Sequence, residues 1–167
     1  SNIDQEGFAG TAFHSLPQHM YWDSYSGDYG PNFFGIAVNA ATYIIDHPEF
    51  GWQAFGGNVQ TDGDWVKVQT LDCFRQRVYI APLGLWVTLD AGNFDHVEIN
   101  TKTHAVRLDL APATSAAPTA YLRIEQPAKI PGIGTYSTTQ KFPLDHEALA
   151  VTLGKEGTQV ELTEAAQ

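Results

Sequence analysis

From Gly51 onward the chain alternates between aliphatic and polar side chains, and a period of two admits little besides β-sheet. Val66 and Val68 alternate with Trp65, Lys67 and Gln69. Val78 and Ile80 alternate with Arg77 and Tyr79, and Leu85, Val87 and Leu89 with Trp86, Thr88 and Asp90. The same holds for Val97 and Ile99, for Val106, Leu108 and Leu110, and for Leu122 and Ile124. Successive side chains of a strand point to opposite faces, so each segment offers one face to a core and one to water. Leu149, Val151 and Leu153 precede Val160 and Leu162 across Gly154-Lys-Glu-Gly157, which reads as a hairpin. With Trp52 to Val59 as a further candidate, the fold expected is mainly β, an antiparallel β-sandwich of about nine strands.

The pattern differs before Gly51. Residues 31–46, PNFFGIAVNAATYIID, read as one N-terminal apolar helix. Pro31 suits a first helical position, and His47-Pro48 stops the helix because the residue before proline avoids the α region. Phe33, Phe34, Ile36, Val38, Tyr43, Ile44 and Ile45 leave that helix no polar side, so a neighbouring domain or chain, or the preceding loop, is expected to cover it. The domain reading is therefore 1–50 as an aromatic loop plus helix and 51–167 as the sandwich. Phe55-Gly-Gly57 lacks any phosphate-loop pattern and marks a bulge or a close backbone approach. Residues 127–141 form either an irregular rim loop or a mobile flap.

The charge excludes some partners. Nine basic residues stand against nineteen acidic ones, for a net charge of −10, with no basic run. Nucleic acid and anionic membrane surfaces need a basic footprint and are not expected partners. No apolar run reaches the ~20 residues that span a bilayer. A neutral ligand such as a polysaccharide or oligosaccharide is compatible with this surface. No secretory leader is legible, and Ser1-Asn2 reads as a tag remnant or the start of a fragment.

The densest chemistry lies in residues 14–29, HSLPQHMYWDSYSGDY. Tyr21, Trp22, Tyr25 and Tyr29 are rigid aromatics able to stack on pyranose faces, and Asp23 and Asp28 can accept hydroxyl hydrogen bonds. Alternatively these rings pack over the apolar segment that follows. Asp23 and Asp28 are also candidate acid and base for glycoside cleavage, which needs two carboxyls roughly 5–9.5 Å apart. Asp in a Gly- and Ser-rich loop equally serves a turn or helix cap.

A second candidate lies on the sheet. Trp65, Tyr79 and Trp86 fall opposite the aliphatic stripes. If their strands are neighbours they form one aromatic platform for sugar; otherwise the face packs against the helix or another domain.

Metal and nucleophile signals are weak. The six histidines are dispersed, with no HxH or HExxH spacing. His14 and His19, five apart with Asp23 after them, support a zinc site only weakly. Asp62-Gly-Asp64 resembles part of a calcium loop without its later ligands, so a β-turn is expected; no cofactor is called, with a structural calcium left open. No metal ligands are assigned. The single cysteine, Cys73, sits in a strand-like context and is expected to be buried and inert.

Three phrases carry a family resemblance: Asp28-Tyr-Gly-Pro-Asn-Phe-Phe-Gly35, His47-Pro-Glu-Phe-Gly-Trp-Gln-Ala-Phe-Gly-Gly57 and Arg77-Val-Tyr-Ile-Ala-Pro-Leu-Gly-Leu-Trp86. They resemble the C-terminal part of large secreted bacterial and fungal proteins with a glycoside-hydrolase-like layout, over about residues 20–125. In such proteins an (α/α) toroid is joined to β-sandwich domains. The resemblance implies that the first ~50 residues look like the end of a helical catalytic domain and that the sandwich is an appended module. It places no catalytic residue on this sequence.

The leading expectation is an extracellular carbohydrate-binding accessory module of a polysaccharide-degrading enzyme. Two alternatives stand beside it: part of a glycoside hydrolase active site through Asp23 or Asp28, and a purely structural buttress.

Overall fold

A computed structural model describes residues 41–113 and 118–165, which belong to one compact unit, Ala41–Gln167. Thirteen strands run through them: β1 Thr42–His47, β2 Gly51–Phe55, β3 Gly57–Asp62, β4 Trp65–Thr70, β5 Arg77–Ile80, β6 Leu85–Leu89, β7 Phe94–Asn100, β8 Val106–Leu110, β9 Thr119–Glu125, β10 Tyr136–Ser137, β11 Leu144–Asp145, β12 Ala148–Thr152 and β13 Thr158–Glu164. A seven-stranded sheet has the order β11-β12-β9-β6-β5-β1-β2, and a six-stranded sheet the order β10-β13-β8-β7-β4-β3. All pairings are antiparallel except β1 with β5. No described helix is long and apolar enough to cross a membrane.

The aliphatic stripes read from the sequence meet between the sheets. Ile44, Val78, Ile80, Leu85, Val87, Leu89, Leu122 and Val151 from one sheet share a single buried cluster with Val66, Val68, Val97, Ile99, Val106, Leu108, Val160 and Leu162 from the other. This is the sandwich-like packing that the alternation predicts, because each strand buries one face.

Three expectations are corrected. Residues 42–46, the end of the predicted helix, form β1. The strand lies between β2 and β5 with Tyr43, Ile44 and Ile45 all buried. A strand covered on both faces is apolar without alternation, which is also how a buried helix reads. Residues 31–40 lie outside the described part.

The strand count rises from nine because β1, β10 and β11 went unread, and because the candidate at Trp52 to Val59 is two strands. It breaks at Gly56, where the chain leaves one sheet for the other. Gly56 has φ 79°, and a Cβ there would stand 2.7 Å from the Phe74 ring. The close backbone approach expected of this glycine pair is therefore present, and it acts as a corner.

Leu149–Leu153 and Val160–Leu162 do not form a hairpin. β12 pairs with β9 and β13 with β8, so the turn at Gly154–Gly157 carries the chain across the sandwich. Thr158 Oγ1 accepts from the Gly154 N–H at 2.9 Å and donates to Thr152 O at 3.1 Å. Gly157, at φ 99°, leaves room for Leu110 O, which a Cβ would approach to 2.7 Å. Two aliphatic stripes look the same in sequence whether they lie side by side or face each other.

Candidate functional site

The outer face of the six-stranded sheet gathers most of the described polar chemistry. Register places Gln60, Lys67, Glu98, Arg107 and Glu161 in one row across β3, β4, β7, β8 and β13. The next row holds Asn58, Gln69, His96, Asp109 and Gln159. Trp65 sits at the edge of these rows, opposite Asn100. Arg107 reaches over β7 and lays its guanidinium 3.9 Å from the centre of the Trp65 ring. Glu98 and Glu161 flank the same guanidinium at 3.9 and 3.7 Å, too far for direct hydrogen bonds. Trp65 remains partly exposed within this charged frame.

Beside it His96 stands among carboxylates. Its Nδ1 is 3.0 Å from Asp95 Oδ2 and its Nε2 2.9 Å from Asp109 Oδ2. Gln159 Nε2 donates to Asp109 Oδ1 at 3.0 Å. Asp109 Oδ2 is itself buried and accepts no hydrogen bond. The ligand atoms of His96, Glu98 and Asp109 lie within 4.8 Å of one another. A surface depression of about 290 Å³ opens at His96 and Asp109, bounded by Pro112, Glu156 and Gln159.

A third polar group pins the long loop at 127–141. Glu164 accepts from the Gly134 N–H at 2.6 Å and meets His104 Nδ1 at 2.6 Å. Gln126 accepts from the Tyr136 N–H at 2.8 Å and donates to Gly134 O at 2.9 Å, and the Tyr136 hydroxyl donates to His104 O at 2.6 Å. Of the two readings offered for this loop, the anchored rim matches these contacts. The Gly134 N–H, then His104, hold the Glu164 carboxyl below the usual carboxylate range. Burial, then the charge of Glu164, pushes the Tyr136 phenol well above its usual range. A depression of about 390 Å³ lies between this loop and Ile124, lined by Ile130, Ile133 and Tyr136.

The sheet candidates are separated. Tyr79 and Trp86 are neighbours on β5 and β6, with ring centres 4.8 Å apart, but Trp65 lies in the other sheet. The single platform carrying all three is thus corrected: adjacency in sequence did not mean adjacency in one sheet. Tyr79 and Trp86 instead share an outer face with Tyr43, whose ring meets Trp86 edge-on at 5.7 Å. Tyr79 is 5% exposed and Tyr43 3%, so neither ring offers a stacking face to a dissolved sugar. Burial also pushes the Tyr43 phenol well above its usual range. Trp86 is partly exposed, and Arg77 lies over its ring at 4.6 Å much as Arg107 lies over Trp65.

Tyr21, Trp22, Asp23, Tyr25, Asp28 and Tyr29 lie outside the described residues. Asp62-Gly-Asp64 forms the turn between β3 and β4, with Lys102 Nζ 3.9 Å from Asp64. Cys73 is corrected from buried to exposed: it sits at φ 77° in the turn between β4 and β5.

Sequence reasoning missed Arg107, His96, Glu98 and Asp109 as a group. A signal was present. His96 and Glu98 share one face of β7, Asp109 and Arg107 share one face of β8, and antiparallel pairing sets each charge opposite its complement.

A family model described as "Family of unknown function (DUF5695)" matches residues 1–161. No curated protein and no solved structure matches the chain.

Proposed function

The chain belongs to the DUF5695 family of unknown function, and from the geometry of its six-stranded sheet we propose that it is a carbohydrate-binding accessory module. The observation that carries this reading is Trp65 held partly exposed under the Arg107 guanidinium, between Glu98 and Glu161. A pyranose has an apolar C–H face and a rim of hydroxyls. An indole ring takes the first, and a frame of donors and acceptors takes the second. Lys67, Arg107 and Gln60 supply donors, while Glu98 and Glu161 supply acceptors. Their charges largely offset one another, which suits a neutral ligand.

The resemblance of residues 28–35, 47–57 and 77–86 to secreted proteins with a glycoside-hydrolase layout supports an extracellular setting beside a polysaccharide-degrading domain. The partner is then a polysaccharide or oligosaccharide, held weakly on a shallow face. A catalytic role rests on Asp23 and Asp28 alone, and no observation among the described residues favours it.

A glycan array followed by affinity electrophoresis of the full chain tests the reading. Trp65→Ala is expected to lower retention about tenfold or more, the equivalent of losing one stacked ring. Trp86→Ala is expected to leave retention unchanged, and Trp22→Ala reports on the N-terminal loop. Wild-type retention by Trp65→Ala would sink the proposal.

A further inference from the structure

We infer that His96, Glu98 and Asp109 form a binding site for one first-row divalent cation, of the zinc class, on the outer face of the six-stranded sheet. The argument begins at the imidazole. Asp95 Oδ2 stands 3.0 Å from Nδ1, placed to accept from an Nδ1–H tautomer of the ring. In that tautomer the Nε2 lone pair faces Asp109 Oδ2, at 2.9 Å. Two lone pairs at that separation repel unless a proton or a metal ion lies between them. With a proton on Nε2 the contact is an ion pair; with the proton on Nδ1 the two atoms are free to share a cation. Bonds of about 2.0–2.2 Å at tetrahedral angles set ligand atoms roughly 3.3–3.6 Å apart, so the separations here, from 2.9 Å to at most 4.8 Å, need only small side-chain turns to share one cation.

The rest of the arrangement fits. Glu98 lies two residues from His96 on the same strand face, and its ligand atom is within 4.8 Å of the other two. Its contact with Arg107 is 3.9 Å, so it can turn toward a cation without breaking a short hydrogen bond. Asp95 on His96 and Gln159 on Asp109 are the outer hydrogen bonds that orient metal ligands and fix the imidazole tautomer. Three carboxylates, Asp95, Glu98 and Asp109, surround the ring, while Arg75 and Arg107 approach them only to 3.7 and 3.9 Å. A divalent charge compensates that excess. An imidazole with two carboxylates favours zinc, cobalt or nickel over calcium, which prefers oxygen alone. Three protein ligands leave at least one position for water, and the depression of about 290 Å³ at His96 and Asp109 gives access.

The inference shares Glu98 with the glycan reading but does not rest on it, and its test contains no sugar. Cobalt(II) is titrated into metal-stripped full-length chain and followed by its visible absorption, with zinc added afterwards as competitor. One equivalent is expected to give bands that zinc abolishes. His96→Gln and Asp109→Asn are expected to weaken binding about 100-fold, and Asp95→Asn by about 10-fold or more. Far-UV circular dichroism checks each variant. If His96→Gln does not fold, the nearly isosteric Asp109→Asn and the surface change Glu98→Gln decide. His146→Ala, at an exposed histidine far along the sequence, is expected to bind as wild type does. Absence of a saturable spectrum in the wild-type chain overturns the site. So does undiminished binding by Asp109→Asn and Glu98→Gln, or loss of binding by His146→Ala.

Discussion

Glu164 joins the last strand to two distant turns: one carboxylate oxygen lies 2.6 Å from His104 Nδ1 and the other accepts from the Gly134 N–H at 2.6 Å. Those contacts favour the ionised carboxyl, so the folded chain holds Glu164 below its ordinary value. A group with a depressed folded value contributes stability that is full above its unfolded value, about 4.3, and is lost as pH falls through the folded one. Glu164→Gln should cost about 0.5–1 kcal/mol at pH 7, a modest loss because solvent screens the pair and the amide oxygen can still accept from the Gly134 N–H. It should also flatten the stability decline below about pH 4.5. Urea titrations at pH 7 and across the acid range measure both. An unchanged acid slope would remove Glu164 from the account.

Arg107 is planar and lies over Trp65, which lysine cannot reproduce. Arg107→Lys should keep the charge yet lower glycan retention, with a stability change of only about 0.5–1 kcal/mol. Affinity electrophoresis beside a thermal melt separates the two effects.

Trp86 packs against Tyr43 and Tyr79 on the outer face of the seven-stranded sheet. Trp86→Ala should cost about 2–4 kcal/mol of stability by leaving a cavity between rings. Chemical denaturation measures this, and an unchanged midpoint would show that the cluster contributes nothing to packing.

Gly56 turns the chain between sheets at positive φ against the Phe74 ring. Gly56→Ala should destabilise by about 2–4 kcal/mol, combining a left-handed backbone cost with overpacking. Gly63, also at positive φ but with open space around its Cβ position, supplies the control. Gly63→Ala should lose only the backbone part, about 1–2 kcal/mol.

Cys73 is exposed, so a thiol reagent should modify it stoichiometrically in the folded chain without denaturant. Slow reaction that needs urea would restore the buried reading.

The inward face of the sandwich was legible residue by residue. Val66 with Val68, Val97 with Ile99 and Val106 with Leu108 point where a period of two requires, and their alternating partners hold the outer faces. The ends of the strands and the unusual segments were less so. β1 was hidden because burial on both faces removes alternation, and β10 and β11 span two residues each, too short for any period. Among the candidate site residues, the aromatics stood out by type, but their grouping did not. Trp65 and Trp86 look equivalent on the page and lie in different sheets.

The sequence by itself determined which side chains leave the core, because strand geometry assigns faces two residues at a time. It did not determine which outward residues meet. Only the tertiary structure set His96 opposite Asp109, Glu98 opposite Arg107 and Arg107 over Trp65. That choice depends on which strands pair and at what register, a property of contacts between segments far apart in the chain. Gly56 and Gly157 decide part of it locally, by letting the backbone cross between sheets where a side chain would collide with Phe74 or Leu110.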